Sequence, residues 1–266
     1  MRRFLLGAVA TLATACAPAL REPPSVDVLA GKEMPQEAGG APALLESAAA
    51  LWARRPDAAA VRQAETLFLQ AARTDEADAR GLIGAVRTKA WLVEHGTDLP
   101  TREADAVSAV HAAQWCVRRR PDLGACDFWL AIAVGLQARE VRPTAEAGMK
   151  TMVEALERAI AKDPSYERGG PDRVLALLLL RAPGWPLGPG DADAGLAHAR
   201  AAVAIVPDYA PNVLALAEAF ADLRERPAAR EAYTRARGLA VAARDAGDPD
   251  AAEWVAEAER GLAASR

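Results

Sequence analysis

Aromatic residues make up only 5% of this 266-residue chain, which has just three cysteines and three histidines. No sustained alternation of β-branched and polar residues relieves that scarcity, so the sequence argues against a sheet protein. The histidines, His95, His111 and His198, have no cysteine or carboxylate at ligand spacing, and no metal centre is expected. G-x-S-x-G, G-x-x-x-x-G-K and C-x-x-C are all missing, and the glycines of "GPGD" follow no strand. Nothing positive supports catalysis or a cofactor. An apolar run, "VLALLLL" at Val174–Leu180, is seven residues long, far short of a membrane span, and reads as a central helix. Basic charge is also outweighed: 32 Lys and Arg face 36 Asp and Glu, for a net charge of −4. That balance opposes a nucleic-acid face. The basic run Arg118–Arg120 falls in the last turn of an expected helix, where cations complement the helix dipole.

What the chain has in quantity is alanine, within an apolar fraction of 52%. Alanine is the best helix former and the smallest core side chain, so closely packed helices are expected. The first residues, "MRRFLLGAVATLATACAP", stand apart. Arg2 and Arg3 precede an apolar stretch, Phe4–Ala15, too short to cross a bilayer. Small residues then meet a cysteine. Residues 1–15 read as a lipoprotein signal, with cleavage before Cys16 and lipid on its thiol. Ala13 departs from the leucine usual there, and an ordinary secretory cut near Ala15 is the alternative. Either way the chain is exported, and losing Arg2 and Arg3 takes its charge from −4 to −6. Residues 16–42, rich in proline, glycine and small side chains, read as a flexible tether. Ala17 after the cysteine resembles lipoproteins sorted to the outer membrane, on its periplasmic side.

The remainder, 43–266, repeats. "AQWCVRRRPDL", "LERAIAKDPSY" and "ARAAVAIVPDY" end alike, and their prolines Pro121, Pro164 and Pro207 lie 43 residues apart. Reading back from each gives Ala109, Ala113 and Cys116; Met152, Leu156 and Ala159; and Gly195, Ala199 and Ala202. After Pro207, Val213, Leu216, Ala217 and Phe220 are followed by Ala229, Tyr233 and Ala236. These spacings resemble the tetratricopeptide repeat (TPR), a pair of helices that nest through small residues beside bulky ones. The expectation is an all-α TPR-like helix-pair solenoid of four to five degenerate repeats, capped by a C-terminal helix carrying Trp254. Helices are placed near 43–54, 58–73, 77–95, 102–119, 124–139, 144–162, 171–182, 192–206, 210–224, 227–244 and 249–264. Between two of them, Pro183, Pro186 and Pro189 recur every third residue around Trp185, predicting an extended polyproline-like crossover before Asp191 caps the next helix. Cys116 and Cys126 flank a helix-to-helix turn, and both buried thiols and a disulfide stay open.

The block Gly169–Phe220, "GGPDRVLALLLLRAPGWPLGPGDADAGLAHARAAVAIVPDYAPNVLALAEAF", resembles the T component of tripartite ATP-independent periplasmic (TRAP) transporters. The resemblance rests on Gly169 and Gly170, Arg173, the Pro183–Pro186 "PGWP", and Pro207, Tyr209 and Asn212; Leu175-Ala176 replaces the Leu-Gly frequent in relatives. It implies a non-catalytic, lipid-anchored periplasmic scaffold that forms trimers and docks the substrate-binding P component. Arg173, Trp185, Tyr209 and Asn212 become candidates for contacting a partner or small ligand. The competing reading has Arg173 and Asn212 bonding loop backbone while Trp185 pins the loop to the array. A general TPR adaptor for outer-membrane or pilus assembly is the alternative function.

Overall fold

In the computed structural model the described residues are 18–31 and 40–265, so Cys16 and the signal segment lie outside them. Twelve α-helices occur among the described residues: α1 (Val26–Ala30), α2 (Ala41–Trp52), α3 (Ala58–Thr74), α4 (Arg80–His95), α5 (Leu99–Arg119), α6 (Gly124–Glu140), α7 (Ala145–Lys162), α8 (Tyr166–Arg181), α9 (Ala192–Ile205), α10 (Ala210–Asp222), α11 (Arg226–Asp245) and α12 (Ala251–Ala264). The only bridge in extended geometry among them is an isolated one between Gly184 and Gly190. Helices α2 to α12 are the eleven placed from periodicity; α1 is additional.

Helices pack in sequence, α2 on α3, α4 on α5, α6 on α7, α8 on α9 and α10 on α11. Five pairs therefore stack into a solenoid, and α12 covers the last against α10 and α11. The small residues read from the repeat do the nesting: Ala109, Ala113, Cys116, Ala159, Ala199, Ala202, Ala229 and Ala236 are completely buried. One contact allows no larger side chain, since a Cβ on Gly84 would fall 2.4 Å from the Phe68 ring. Side chains supply several starts, with Asp57, Asp98 and Asp191 each accepting from backbone N–H groups of the first turn.

Charge also clamps the pairs together. Lys89 on α4 is buried against Glu65 of α3, with Asp105 of α5 close by, and Arg62 donates from Nη1 and Nη2 to the two Asp105 carboxylate oxygens, each at 2.8 Å. Asp127 on α6, 1% exposed, takes Arg158 and Lys162 of α7. Arg118–Arg120 end α5 as expected; Arg118 pairs with Glu22, Arg119 bonds the Ala72 carbonyl, and Arg120 pairs with Asp122.

Two expectations need correction, and one alternative left open is decided. Residues 18–31, read as flexible tether, are laid down on the array: Ala19 and Val26 are buried, and the Pro24 carbonyl accepts from Trp115 Nε1 at 2.7 Å. Scarce apolar periodicity misled here, because a few well-placed small side chains suffice to seat a short strap in a groove. Cys116 and Cys126 form a disulfide, their Cα atoms 5.3 Å apart, joining α5 to α6. The crossover 182–191 is not extended. It doubles back, with Leu187 N–H donating to the Gly184 carbonyl, Gly190 N–H to Pro183 and Asp191 N–H to Leu179. Gly188 and Gly190 permit the turn by close approach, since an added Cβ would fall 2.7 Å from the Pro183 carbonyl oxygen and 2.3 Å from that of Ala182.

Candidate functional site

The solenoid curls far enough for its ends to meet. Arg55, between α2 and α3, pairs with Asp250 at the start of α12 (3.4 Å), and His95 at the end of α4 with Glu253 (3.1 Å). These contacts span 195 and 158 residues of sequence. They enclose a groove of about 480 Å³ lined from α4, α6, α8, α10 and α12 and the end of α2. Rings and charges share its wall: four of the six tryptophans, Trp52, Trp91, Trp129 and Trp254, face it together with Phe128 and Tyr209, beside three arginines and four carboxylates.

At the centre of the groove α8 begins with an irregular turn. Glu167, Arg168 and Gly169 all have positive φ, at 48°, 60° and 81°. Left-handed backbone costs a non-glycine residue about 1–2 kcal/mol, so something must hold the turn. Asn212, completely buried, does so. Its Nδ2 donates to the carbonyls of Arg168 (2.9 Å), Ala202 (2.8 Å) and Val206 (3.3 Å). Its Oδ1 accepts from Arg173 Nη1 at 2.8 Å. Pro171 follows in the first regular turn, where a missing N–H costs nothing.

The turn aims charge into the groove. Arg173 has no carboxylate bonded to it, and its guanidinium lies 5.3 Å from the centre of the Tyr209 ring, with Arg168 4.8 Å from the same ring. Tyr209 in turn meets Trp254 edge-on at 5.6 Å. Across the groove Arg55 and Arg87 both stand over Trp52, at 4.0 and 5.0 Å. Among the described residues Arg87 has no hydrogen-bonded partner, and its Nε is buried and unsatisfied. Burial pushes the Arg87 guanidinium below its ordinary pKa, Glu167 opposing and Arg55 adding to the effect. Burial does the same to Arg173, opposed by Tyr209 and Glu167. Glu94 is pushed up, again by burial, against the pull of Arg139 and His95. Tyr209 is pushed up by burial, with Arg173 and Arg168 opposing.

The sequence candidates thus divide. Arg173, Tyr209 and Asn212 come together, with Asn212 bracing backbone as the structural reading required and Arg173 serving both turn and groove. Trp185 stands apart from them. It is 90% exposed and lies outside the groove, so it does not pin the loop. From Arg173 to Arg181, helix α8 carries the chain about 12 Å at 1.5 Å per residue before the loop begins. Trp254 caps α11 as expected and lines the groove as well. Sequence reasoning missed Trp52, Arg87, Trp91 and Trp129; the one available signal was Arg87 and Trp91 four residues apart on a single helical face. His95 stacks on Trp91 at 4.1 Å, and His198 bonds Asp172 at 2.8 Å. Among the described residues no cluster of His, Cys, Asp and Glu could hold a metal ion, and no helix is long and apolar enough to cross a membrane.

Fold and groove together define a TPR-like helix-pair solenoid. The crystal structure of TTC0263, a thermophilic TPR protein in Thermus thermophilus, matches 82% of this chain and 98% of its own, with a TM-score of 0.61 at 20% identity. The crystal structure of MamA protein matches 77% of this chain and 94% of its own, with a TM-score of 0.47 at 13% identity. No protein-family profile and no curated protein sequence matches the chain.

Proposed function

We propose that the protein is a non-catalytic TPR scaffold of a TRAP-type transporter, held by lipid on Cys16 to the periplasmic side of the outer membrane. Its partner is the transporter's substrate-binding P component, which it meets as a homotrimer, and its groove receives a small ligand. The observation that carries this reading is a coincidence of sequence and structure. The block that resembles the T component, Gly169–Phe220, is the block whose braced turn places Arg173 and Tyr209 in the groove. A scaffold role accords with the fold, since stacked helix pairs present a long concave surface.

Affinity capture of the lipidated protein from its native envelope tests the assignment. Co-purification of a solute-binding protein is the expected outcome, with a trimer in the native mass spectrum. Recovery of outer-membrane or pilus components instead would favour a general adaptor. Cys16→Ala should abolish incorporation of labelled fatty acid and release the protein from the membrane fraction.

A further inference from the structure

We infer that the protein rests on its membrane by one edge of the solenoid, where Trp185 and Leu187 enter the lipid leaflet that holds the acyl chains of Cys16. This rests on the reading of Cys16 as lipidated and names the surface that meets the bilayer.

The strap shows which edge that is. In a stack of helix pairs the turns within pairs lie at one edge, here 96–98, 141–144 and 182–191, and those between pairs at the other, including 120–123, 163–165 and 206–209. The strap runs along α5 between the two edges. Glu22 pairs with Arg118 and Pro24 accepts from Trp115, near the C-terminal end of α5. Ala19 lies further toward the N-terminal end, sharing a small cavity with Val107 of α5 and with Val141 and Thr144 of the turn 141–144. Followed back toward Cys16, the chain therefore leaves the array at that turn. From Ala19 to Cys16 it can reach no more than about 11 Å.

The loop 182–191 stands beside that exit. Lys150, about 9 Å along α7 from Thr144 at 1.5 Å per residue, lines a shallow hollow with Met149, Val153 and the loop's Pro186, Leu187 and Pro189. In the loop, Trp185 and Leu187 are the two most exposed large apolar side chains among the described residues, and Leu99, exposed at the start of α5, shares the edge. Water is a poor medium for such a patch, whereas an indole settles at the headgroup level of a bilayer. The loop's backbone is prepared for lipid too. Its prolines carry no N–H, and the N–H groups of Leu187, Gly188 and Gly190 are bonded within the loop. The exposed charges nearby, Arg142 and Lys150 with Glu146 and Glu154, carry both signs, so apolar burial and not anionic lipid drives the contact. A lipid on one cysteine would leave the array free to swing, and a second contact fixes which face it turns to the membrane.

The lipidated protein in phosphatidylcholine vesicles tests this, with bromine near the headgroup end of one acyl chain to quench tryptophan emission. Bromine should remove about one-sixth of the emission, the share of one tryptophan in six, and Trp185→Phe should abolish that loss. A nitrobenzoxadiazole label on Leu187→Cys should move its emission to the blue when vesicles are added. The same label on Asp208→Cys, in a turn of the opposite edge, should not. Trp185→Ser combined with Leu187→Ser should speed transfer between vesicles about tenfold and leave the melting temperature unchanged. Unquenched Trp185 in lipidated, vesicle-bound protein would overturn the inference and leave the anchor standing. Protein whose intact mass shows no lipid on Cys16, and which does not bind the vesicles, would bring down both. Trp185 shielded between copies, shown by an oligomer that dissociates with Trp185→Ser and by absent quenching, would also overturn the inference.

Discussion

Two parts of one stretch of the chain, the turn that opens α8 and the loop that follows it, behave in opposite ways. The turn at 167–169 is strained, buried at Gly169 and tied by Asn212, through the Arg168 carbonyl, to the Ala202 and Val206 carbonyls at the end of α9. The loop at 183–190 is closed by its own backbone bonds, and it leaves Trp185 and Leu187 90% and 72% exposed. Both looked alike in sequence, as glycine and proline interrupting helix. The difference is in who satisfies the backbone. A turn whose carbonyls are met by a buried side chain from another helix becomes part of the tertiary structure. A loop that satisfies itself stays free to project.

The most forceful way to break this contrast is Asn212→Ala. It removes the amide bonds to the Arg168, Ala202 and Val206 carbonyls and to Arg173, at about 1–3 kcal/mol for each group left unsatisfied. Some relaxation is expected, so a loss of about 3 kcal/mol should appear in urea unfolding, together with loss of groove binding. Reducing the Cys116–Cys126 bridge, which closes a short loop between α5 and α6, should cost about 2–3 kcal/mol. Thermal melts with and without reductant measure it. Gly169→Ala sharpens the comparison from the backbone side. At φ 81°, with the Ala202 carbonyl oxygen 3.1 Å from the added Cβ, about 1–2 kcal/mol should be lost in the same unfolding assay.

A smaller effect is expected at Glu94. Its folded pKa lies above the unfolded one, so the native state binds the extra proton and stability falls as pH rises through that range. Glu94→Gln should therefore be more stable than the parent near neutral pH, and the gap should close in acid, as read from melting temperature against pH. Smallest of all is Trp185→Ala, which should change stability by less than about 0.5 kcal/mol. A large loss of stability there would show that the loop is anchored after all.

Much of the fold was legible because its causes are local. Asp191 caps α9 as its position announced, and Pro121, Pro164 and Pro207 each follow the end of a helix. Ala109, Ala113 and Cys116 are buried because small residues at that spacing must face a neighbour. The site was legible only in part. Arg173, Tyr209 and Asn212 stood out through resemblance, whereas Trp52, Arg87, Trp91 and Trp129 carry no local mark beyond a helical face. Trp185 was the most conspicuous residue of the block, and it lies outside the site because the helix before it leads away.

By itself the sequence determined the helices, their pairing and their order. Capping, helix periodicity and close approach all act over a few residues or between chain neighbours. The tertiary structure alone decided that Arg55 meets Asp250, that residues 18–31 strap the array, and that four tryptophans share one groove. Each helix pair adds a small rotation to the last, and only their accumulated curvature brings residues 195 apart in the chain within reach of each other.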